Sequence, residues 1–241
     1  MKILITAGST QMPIDRVRII SNIFKGATGF RIANEAAKKG HDVVLICNGH
    51  HLAETNEDNY SRFIRSEKQI VCHAYKTFDE LEALMKAEIT SGNYDVIIHS
   101  SAVSDYKVSV VTKDVKLLER FAEHPEEFTT APEERQKISS GQILYMALTP
   151  TIKLVDQIRS RWGFKGKLVK FKLQVNVSDD ELIAIAKKSR AFSKADYIVA
   201  NSLEYFNDWN AFKMFIVNYQ DEVIPCPRQE LAARLLEMLE V

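Results

Sequence analysis

Short apolar runs alternate with amphipathic stretches along most of the chain. Runs rich in Val, Ile and Leu, which is the pattern of buried strands, lie at Lys2–Thr6, His41–Cys47, Gln69–Tyr75, Tyr94–His99, Gln142–Ala147, Lys167–Leu173 and Asp196–Ala200. Helical spacing of apolar residues is found at Phe30–Lys39, Thr77–Thr90, Pro150–Arg161, Ser178–Ser193 and Gln229–Leu239. Strands that alternate with helices predict parallel βαβ units. We therefore expect an α/β fold with a Rossmann-like, doubly wound and mostly parallel sheet.

Two helix starts carry an additional local signal. Thr77 stands three residues before Glu80, and Ser178 stands three residues before Glu181. In a capping box, the hydroxyl accepts a hydrogen bond from the third backbone N–H while the acidic side chain binds the cap N–H in return. Both helices are therefore predicted to begin just after these residues.

Two segments depart from the alternation. The segment 107–141 is charged and contains prolines, and its one modest helical patch is Val115–Ala122. Since loops this long inside a compact domain are commonly lids or binding loops, we expect a mobile flap over the active site of a single domain spanning 1–241. The runs Phe212–Tyr219 and Glu222–Ile224 predict a C-terminal β-hairpin.

Composition narrows the classes of partner and location. The 241 residues include 32 Lys and Arg against 32 Asp and Glu, so the formal net charge is zero and no nucleic-acid or anionic-membrane partner is indicated. The start of the chain lacks a signal-peptide pattern, and no apolar stretch is long enough to span a bilayer. We expect a soluble, cytoplasmic protein. Cys47, Cys72 and Cys226 lie in or beside apolar runs and are interpreted as small buried hydrophobes, rather than as metal ligands or redox groups.

The opening stretch, Lys2 to Gly29, carries the first functional signal. Its apolar run ends at the small residues Ala7 to Thr10, and a second small-residue turn, Gly26 to Gly29, opens the next helix. Glycine lets a backbone approach a ligand closely, and helix N-termini offer unpaired N–H groups to phosphates. This stretch predicts nucleotide binding. In a doubly wound sheet the loops after Thr6 and after His99 should lie together.

Five motifs carry a resemblance to a known family. They are ITAGST with PID, VRIISN and a glycine turn, then SAVSDY, KISS, FKL and IVAN, in family order over nearly the whole chain. The chain resembles phosphopantothenoylcysteine synthetase, in the free-standing form without a fused flavin decarboxylase. The resemblance implies a ligase that joins 4′-phosphopantothenate and L-cysteine through an acyl-nucleotide formed from CTP, or alternatively ATP, with Mg²⁺ on the phosphates. It also implies a homodimer with a shared active site.

The resemblance assigns one group of residues to the pantothenate substrate. Asn22 would bind it and serve turnover of the acyl-nucleotide, and Arg18 would reach the site of the neighbouring subunit. Ser101, Ala102 and Asp105 would hold the pantothenate moiety.

A second group is assigned to the nucleotide. Gly8, Gly26 and Gly29 would present backbone N–H groups to the phosphates, and Lys137, at the end of the flap, would meet the triphosphate and take part in catalysis. Phe171 would pack on the base or ribose, and Asn201 would close the far wall.

The sequence also departs from the family pattern. Phe24 and Lys25 replace two small hydroxyl residues in the phosphate loop, Gln174 replaces a common glutamate, and Ser193 replaces one of a basic pair. Two other functions therefore stay open. One is an NAD(P)-dependent oxidoreductase, although the chain lacks GxGxxG and a ribose-binding acid after Cys47. The other is a nucleotide-binding homologue that has lost catalysis.

Overall fold

The computed structural model describes residues 1–48, 70–128, 137–206 and 213–241. The strands are β1 (Lys2–Ala7), β2 (Gln11–Pro13), β3 (Ile19–Ser21), β4 (Asp42–Asn48), β5 (Val71–Tyr75), β6 (Val96–His99), β7 (Tyr106–Thr112), β8 (Tyr145–Pro150), β9 (Lys167–Gln174), β10 (Tyr197–Ser202), β11 (Lys213–Val217) and β12 (Val223–Pro227). The α-helices are α1 (Ala27–Lys38), α2 (Phe78–Ser91), α3 (Val115–Glu123), α4 (Leu154–Ser160), α5 (Asp179–Ser193) and α6 (Leu231–Glu240), with 3-10 turns at Pro125–Glu127 and Glu204–Phe206.

The main sheet has eight strands in the order β12-β11-β10-β9-β6-β1-β4-β5. The strands from β10 to β5 pair in parallel, whereas β11 and β12 form an antiparallel hairpin on one edge. The chain leaves β1 in one direction to β4 and β5, and then returns to the other side for β6, β9 and β10. The predicted doubly wound, mostly parallel α/β fold is confirmed, and its topological switch point lies between β1 and β6.

Side chains of β1 alternate between two apolar layers. Ile3 and Ile5 are fully buried against the face covered by α1 and α6. Leu4 is fully buried on the opposite face, where α2 and α4 contribute Leu81 and Ile158. Because successive side chains of a strand point to opposite faces, β1 reads as a continuous apolar run when both faces are covered.

Both predicted capping boxes are present. The Thr77 hydroxyl accepts from the Glu80 backbone N–H, and the Glu80 carboxylate accepts from the Thr77 N–H. Ser178 and Glu181 make the same reciprocal pair at the start of α5. The predicted C-terminal hairpin is present as β11 and β12; Phe212, Gln69 and most of the loop 48–65 lie outside the described residues.

Two pairs of strands were not predicted, and one proline was misplaced. No strand was predicted between Thr10 and Gly26, but this stretch contains the β2–β3 hairpin. The first part of the expected flap is strand β7, which pairs with β8 to form a two-stranded ribbon. Pro150 was placed in the first turn of a helix, but it is the last residue of β8, and α4 begins at Leu154. Proline fits the end of such an edge strand because no partner there needs its missing N–H.

Candidate functional site

The loops that follow β1 and β6 are hydrogen-bonded to each other. The backbone N–H of Ala102 donates to the carbonyl of Gly8 at 2.8 Å, and the N–H of Thr10 donates to the carbonyl of Ala102 at 3.3 Å. Ser9 and Ala102 form a parallel bridge. The expectation that these loops lie together is confirmed, and they form one floor at the carboxyl edge of the sheet.

Buried polar groups hold this floor from below. The Thr6 hydroxyl shares a hydrogen bond of 2.9 Å with Nδ1 of His99 and accepts another from the Ser101 N–H at 3.2 Å. The Tyr75 hydroxyl donates to the Ala7 carbonyl at 3.0 Å. Burial and the nearby charge of Lys170 lower the pKa of His99 to about 4, so the ring is neutral near pH 7. A neutral, hydrogen-bonded imidazole here supports the loop.

The second glycine turn lies directly on the first. Gly26 has φ of 85° and Gly8 has φ of 90°, both in the left-handed region. A Cβ on Gly26 would overlap the backbone nitrogen of Gly8 and lie 2.8 Å from its Cα. Gly29 is buried in the first turn of α1, where a Cβ would lie 2.7 Å from Cβ of Ala7. Glycine at these positions therefore allows the N-terminus of α1 to approach the two loops.

A cavity of about 450 Å³ opens above the loops and the start of α1. Most residues assigned from the resemblance line it, and these are Gly8, Asn22, Gly26, Ser101, Ala102, Asp105, Phe171 and Asn201. Phe24 and Lys25, the unusual residues of the phosphate loop, also face this cavity. Gly29 does not line it, because Gly29 is buried on the side of α1 that lies against Ala7. The fold thus brings together residues separated by up to about 190 positions in sequence.

Two polar contacts fix side chains at the rim of the cavity. The amide nitrogen of Asn22 donates to the carbonyl of Ala102 at 3.0 Å. This bond connects the end of the hairpin segment, residues 11–23, to the loop after β6. The carboxylate of Asp105 accepts from Nζ of Lys153 at 2.7 Å. Both members of this pair are largely exposed, so it orients the side chains more than it stabilises the fold.

Several cations of the cavity were missed from the sequence. They are Lys153, Lys170, Lys172 and Arg228, which come from three separate parts of the chain, since Lys170 and Lys172 are both on β9. A lysine in a strand or before a helix is ordinarily solvated, and no sequence pattern marks which of them converge. Together with Lys25, they make the cavity strongly cationic. Such a cavity suits a polyanionic ligand.

Arg18 and Lys137 do not line the cavity. The Arg18 guanidinium pairs with the carboxylate of Asp15 and donates to the Ile138 carbonyl at 2.9 Å. The Asp15 carboxylate, which is buried, also accepts from the backbone N–H of Ile138 at 3.0 Å. Lys137 is exposed and lies next to this junction. We call Asp15, Arg18 and Ile138 the clamp, since they connect the hairpin loop to the end of the predicted flap.

The clamp makes a prediction about pH. The Arg18 guanidinium, followed by the Ile138 N–H, holds the pKa of Asp15 well below its usual value of about 3.9. A depressed folded pKa stabilises the protein above the unfolded pKa, and the contribution disappears as pH falls through the folded value. Asp15→Asn should therefore lower the Tm at pH 7, and the difference from the wild-type Tm should shrink below about pH 4.

The control for this prediction is Asp180→Asn, which removes an exposed carboxylate from the first turn of α5. Thermal melts of the three proteins between pH 7 and pH 3 give the comparison. A constant difference for Asp15→Asn across this range would show that its ionisation does not stabilise the clamp.

The described residues were also searched for side-chain groups that could hold a metal ion and for helices that could span a membrane. Residues 1–48, 70–128, 137–206 and 213–241 contain no group of three or more His, Cys, Asp or Glu side chains placed to hold a metal ion. Across the same ranges, none of the helices has the length and apolar character needed to cross a membrane. Cys47 and Cys226 are buried, Cys72 is half-buried, and all three are free thiols.

Comparison with known proteins identifies the family. Residues 1–120 match the family of the DNA/pantothenate metabolism flavoprotein C-terminal domain. The crystal structure of the DNA/pantothenate metabolism flavoprotein from Streptococcus pneumoniae superposes with a TM-score of 0.79 and 28% identity, covering 100% of this chain and 98% of that one. The matched part of the chain, residues 1–120, belongs to this family. The resemblance inferred from the five motifs is therefore confirmed.

Two further relatives extend the comparison. The coenzyme A biosynthesis bifunctional protein CoaBC of Thermococcus kodakarensis is 28% identical over 240 residues, which are 99% of this chain and 51% of the relative. The chain spans about half the length of the curated relatives it matches. A Cab2 mutant in complex with phosphopantothenate-cysteine shares the fold, with a TM-score of 0.67 and 15% identity over 99% of this chain and 86% of that one.

Proposed function

We propose that this family member is a ligase that joins 4′-phosphopantothenate to L-cysteine, with CTP or ATP as the co-substrate. The observation that carries the proposal is the cavity at the switch point, where the Asn22 amide, the glycine turns and the cations face one another. The cations of this cavity suit a reaction between two anions, the carboxylate of 4′-phosphopantothenate and the nucleoside triphosphate. The phosphopantothenate-cysteine bound by a protein of the same fold supports the substrate class.

The proposed reaction has two steps. The carboxylate of 4′-phosphopantothenate attacks the α-phosphate of the triphosphate, and pyrophosphate leaves. The amine of L-cysteine then attacks the acyl carbon of the resulting acyl-nucleotide; the amine loses a proton and the nucleoside monophosphate leaves as 4′-phosphopantothenoylcysteine forms. No covalent bond to the protein is needed. The protein has to position the reactants and stabilise negative charge.

The nucleotide end of the cavity has the groups that the first step requires. The N-terminus of α1 presents the N–H groups of Ala27 and Thr28, which are free of helical partners, and the Lys25 and Lys172 side chains add charge nearby. Mg²⁺ would enter on the triphosphate, since it retains waters and binds largely through phosphate oxygens. Phe171 would pack against the base or ribose, and Asn201 would bound that part of the site.

The acyl end is defined by the loop after β6. The Ser101 and Ala102 backbone, the Asp105 carboxylate and the Asn22 amide would bind the pantothenate moiety and orient the acyl-nucleotide. Lys137 would complete the triphosphate site if the flap closes over the cavity. A cation that arrives with a closing segment supplies its charge once the substrates are in place and water is excluded.

A single assay tests the function. Purified protein is incubated with 4′-phosphopantothenate, L-cysteine, Mg²⁺ and either CTP or ATP, and pyrophosphate is measured. We expect release that requires 4′-phosphopantothenate and is accompanied by 4′-phosphopantothenoylcysteine. No release with either triphosphate would overturn the proposal. Binding of NAD(P)H instead would indicate an oxidoreductase, and triphosphate binding without turnover would indicate a homologue that has lost catalysis.

We also propose that the protein is a homodimer with a shared active site. Exposed apolar side chains occupy the hairpin segment and the β7–β8 ribbon: Val17, Ile19, Ile23, Tyr106, Met146 and Leu148. Scattered exposed apolar residues are ordinary, but a concentration on two adjoining elements is typical of an interface. Arg18 lies in this hairpin segment, so association through it would bring Arg18 close to the neighbouring subunit.

Leu148→Glu should convert the dimer to a monomer. Leu148 is 44% exposed in one chain, so the substitution leaves the core unchanged but places a charge in the proposed interface. Sedimentation equilibrium measures the result, and ligase activity should fall with the dimer if the site is shared. Phe192→Glu is the control, because Phe192 is 77% exposed on α5, outside both elements. A wild-type monomer, or a Leu148→Glu dimer of unchanged affinity, would contradict this interface.

A further inference from the structure

The side chains that line the cavity carry a large excess of positive charge. Lys25, Lys153, Lys170, Lys172 and Arg228 face it, whereas Asp105 is its one lining carboxylate among the described residues. Asp105 is paired with Lys153. For Lys25, Lys170 and Lys172, the described lining of the cavity therefore offers no second carboxylate.

Lys170 differs from the other lysines of the cavity because it is buried. It lies on β9, next to His99 of β6, and is 7% exposed. Its Nζ donates to the carbonyl of Ser189 at 3.1 Å and to Oγ of Ser193 at 2.9 Å, both on α5. These two partners are neutral oxygens. In the described part of the chain, they occupy two of the three N–H donors of the ammonium.

A buried ammonium whose two hydrogen-bond partners are both neutral is an unfavourable arrangement by itself. Lysines are almost never this buried unless an opposite charge accompanies them, because desolvation of the ion is costly. Burial lowers the pKa of Lys170, and the carboxylate of Asp156 opposes this shift from a distance without an ion pair. An anion in the cavity would supply the missing charge and accept the third donor. Such a contact would strengthen in a site from which water is excluded.

Ser193 explains how the ammonium is held. Its hydroxyl donates to the Ser189 carbonyl at 3.0 Å and accepts from Lys170, so its orientation is fixed by the helix. Position 193 is also where the sequence departs from the family by lacking a basic residue. Lys170, although it lies on β9, therefore places its positive charge beside α5, next to the short side chain of Ser193.

We propose that Lys170 is a triphosphate-binding residue of this protein, whose ammonium, held by Ser189 and Ser193, neutralises phosphate at the β9 side of the cavity. This inference rests on the proposed function, because the proposed function is what assigns the cavity to the nucleotide. It adds a residue and a charge placement that the motifs do not include. The pantothenate end, around Asn22 and Asp105, would be unaffected.

The test compares Lys170→Met with a charge relocation, Lys170→Met combined with Ser193→Lys. Binding of CTP, ATP and inorganic pyrophosphate with Mg²⁺ is measured by calorimetry, and KM values are measured for triphosphate and for 4′-phosphopantothenate. Lys170→Met should weaken triphosphate binding at least tenfold, equivalent to about 1.4 kcal/mol, with little change in KM for 4′-phosphopantothenate. The double variant should recover most of the loss. Lys188→Met, which removes an exposed lysine of α5, should change neither value.

The outcomes separate this inference from the proposed function. Triphosphate binding that depends on Lys170, with no pyrophosphate release in the full assay, would overturn the ligase and retain the Lys170 site. Full ligase activity with an unchanged triphosphate KM in Lys170→Met would overturn the Lys170 site alone, even if the Tm changed. Failure of the wild-type protein to bind CTP, ATP or pyrophosphate would overturn both. The single and double variants could also lose the same triphosphate affinity while circular dichroism shows an intact fold. That result would overturn the charge relocation and the role given to Ser193.

Discussion

Gly26→Ala is expected to reduce pyrophosphate release by at least about 100-fold while leaving the main sheet folded. The new methyl group would overlap the backbone of Gly8, and neither backbone can move without displacing the loop after β1 or the start of α1. Both of these elements line the nucleotide end of the cavity. Shifts of about 1 Å in such a site typically reduce rates by about 100-fold. Pyrophosphate release and triphosphate affinity should therefore fall together.

Gly40→Ala provides a matched control. Gly40 has the same φ of 85°, but nothing lies within 4 Å of the position its Cβ would take. The substitution introduces the backbone strain of a left-handed alanine, which is worth about 1 to 2 kcal/mol, without the collision. We expect a lower Tm and normal activity for Gly40→Ala. If both variants lose stability equally and both retain activity, the approach of Gly26 to Gly8 has no part in the reaction.

The parts of the fold that were predicted correctly depend on local or periodic signals. The apolar run of β1 identifies a strand buried on both faces, and the Thr77 and Ser178 boxes identify two helix starts from four residues each. Helix–strand alternation then determines where β1 and β6 meet. The apolar run and the capping boxes are each contained within a few neighbouring residues, so tertiary contacts do not change them.

The errors occur where distant residues decide the local structure. The β2–β3 hairpin has strands of three residues, and its loop is organised by Asp15, whose carboxylate binds the backbone of Val17, Arg18 and the distant Ile138. Neither its short strands nor its long-range partner gives a periodic signal. Pro150 was misplaced for a related reason, since proline suits the first turn of a helix and also the end of an edge strand.

In the candidate site, too, residues in contiguous motifs were predicted, and residues whose position depends on distant parts of the chain were missed. Gly8, Gly26 and Asn22 were identified because their motifs are contiguous, and the cavity brings them together, whereas Gly29 lies outside its lining. Lys153, Lys170 and Lys172 were missed, because the burial and direction of a lysine depend on which helix covers its strand. Arg18 was assigned a role in a neighbouring subunit, which stays a prediction. Within the chain its guanidinium is bound to the clamp.

Asn22→Asp is expected to uncouple the two steps of the proposed reaction. The Asn22 amide donates to the Ala102 carbonyl, and an aspartate there has no proton to donate near pH 7. Its carboxylate would face a carbonyl oxygen and add negative charge beside an acyl-nucleotide that is already anionic. Loss of one well-placed donor at a reaction centre typically reduces the rate by about 100- to 1000-fold. Amide formation should fall by this factor, with pyrophosphate release at least partly retained.

The measurement is rapid quench followed by mass spectrometry, which should show accumulated acyl-nucleotide in Asn22→Asp and none in wild type. Asn22→Ala separates the two causes, since it removes the donor without adding charge and should accumulate less intermediate. Asn93→Asp makes the same chemical change at an exposed residue before β6, at the opposite end of that strand from the cavity, and should leave both steps unchanged. An unaltered overall rate in Asn22→Asp would remove Asn22 from the catalytic assignment. Loss of pyrophosphate release in proportion to amide formation would instead place Asn22 in the first step, where its amide would orient the attacking carboxylate.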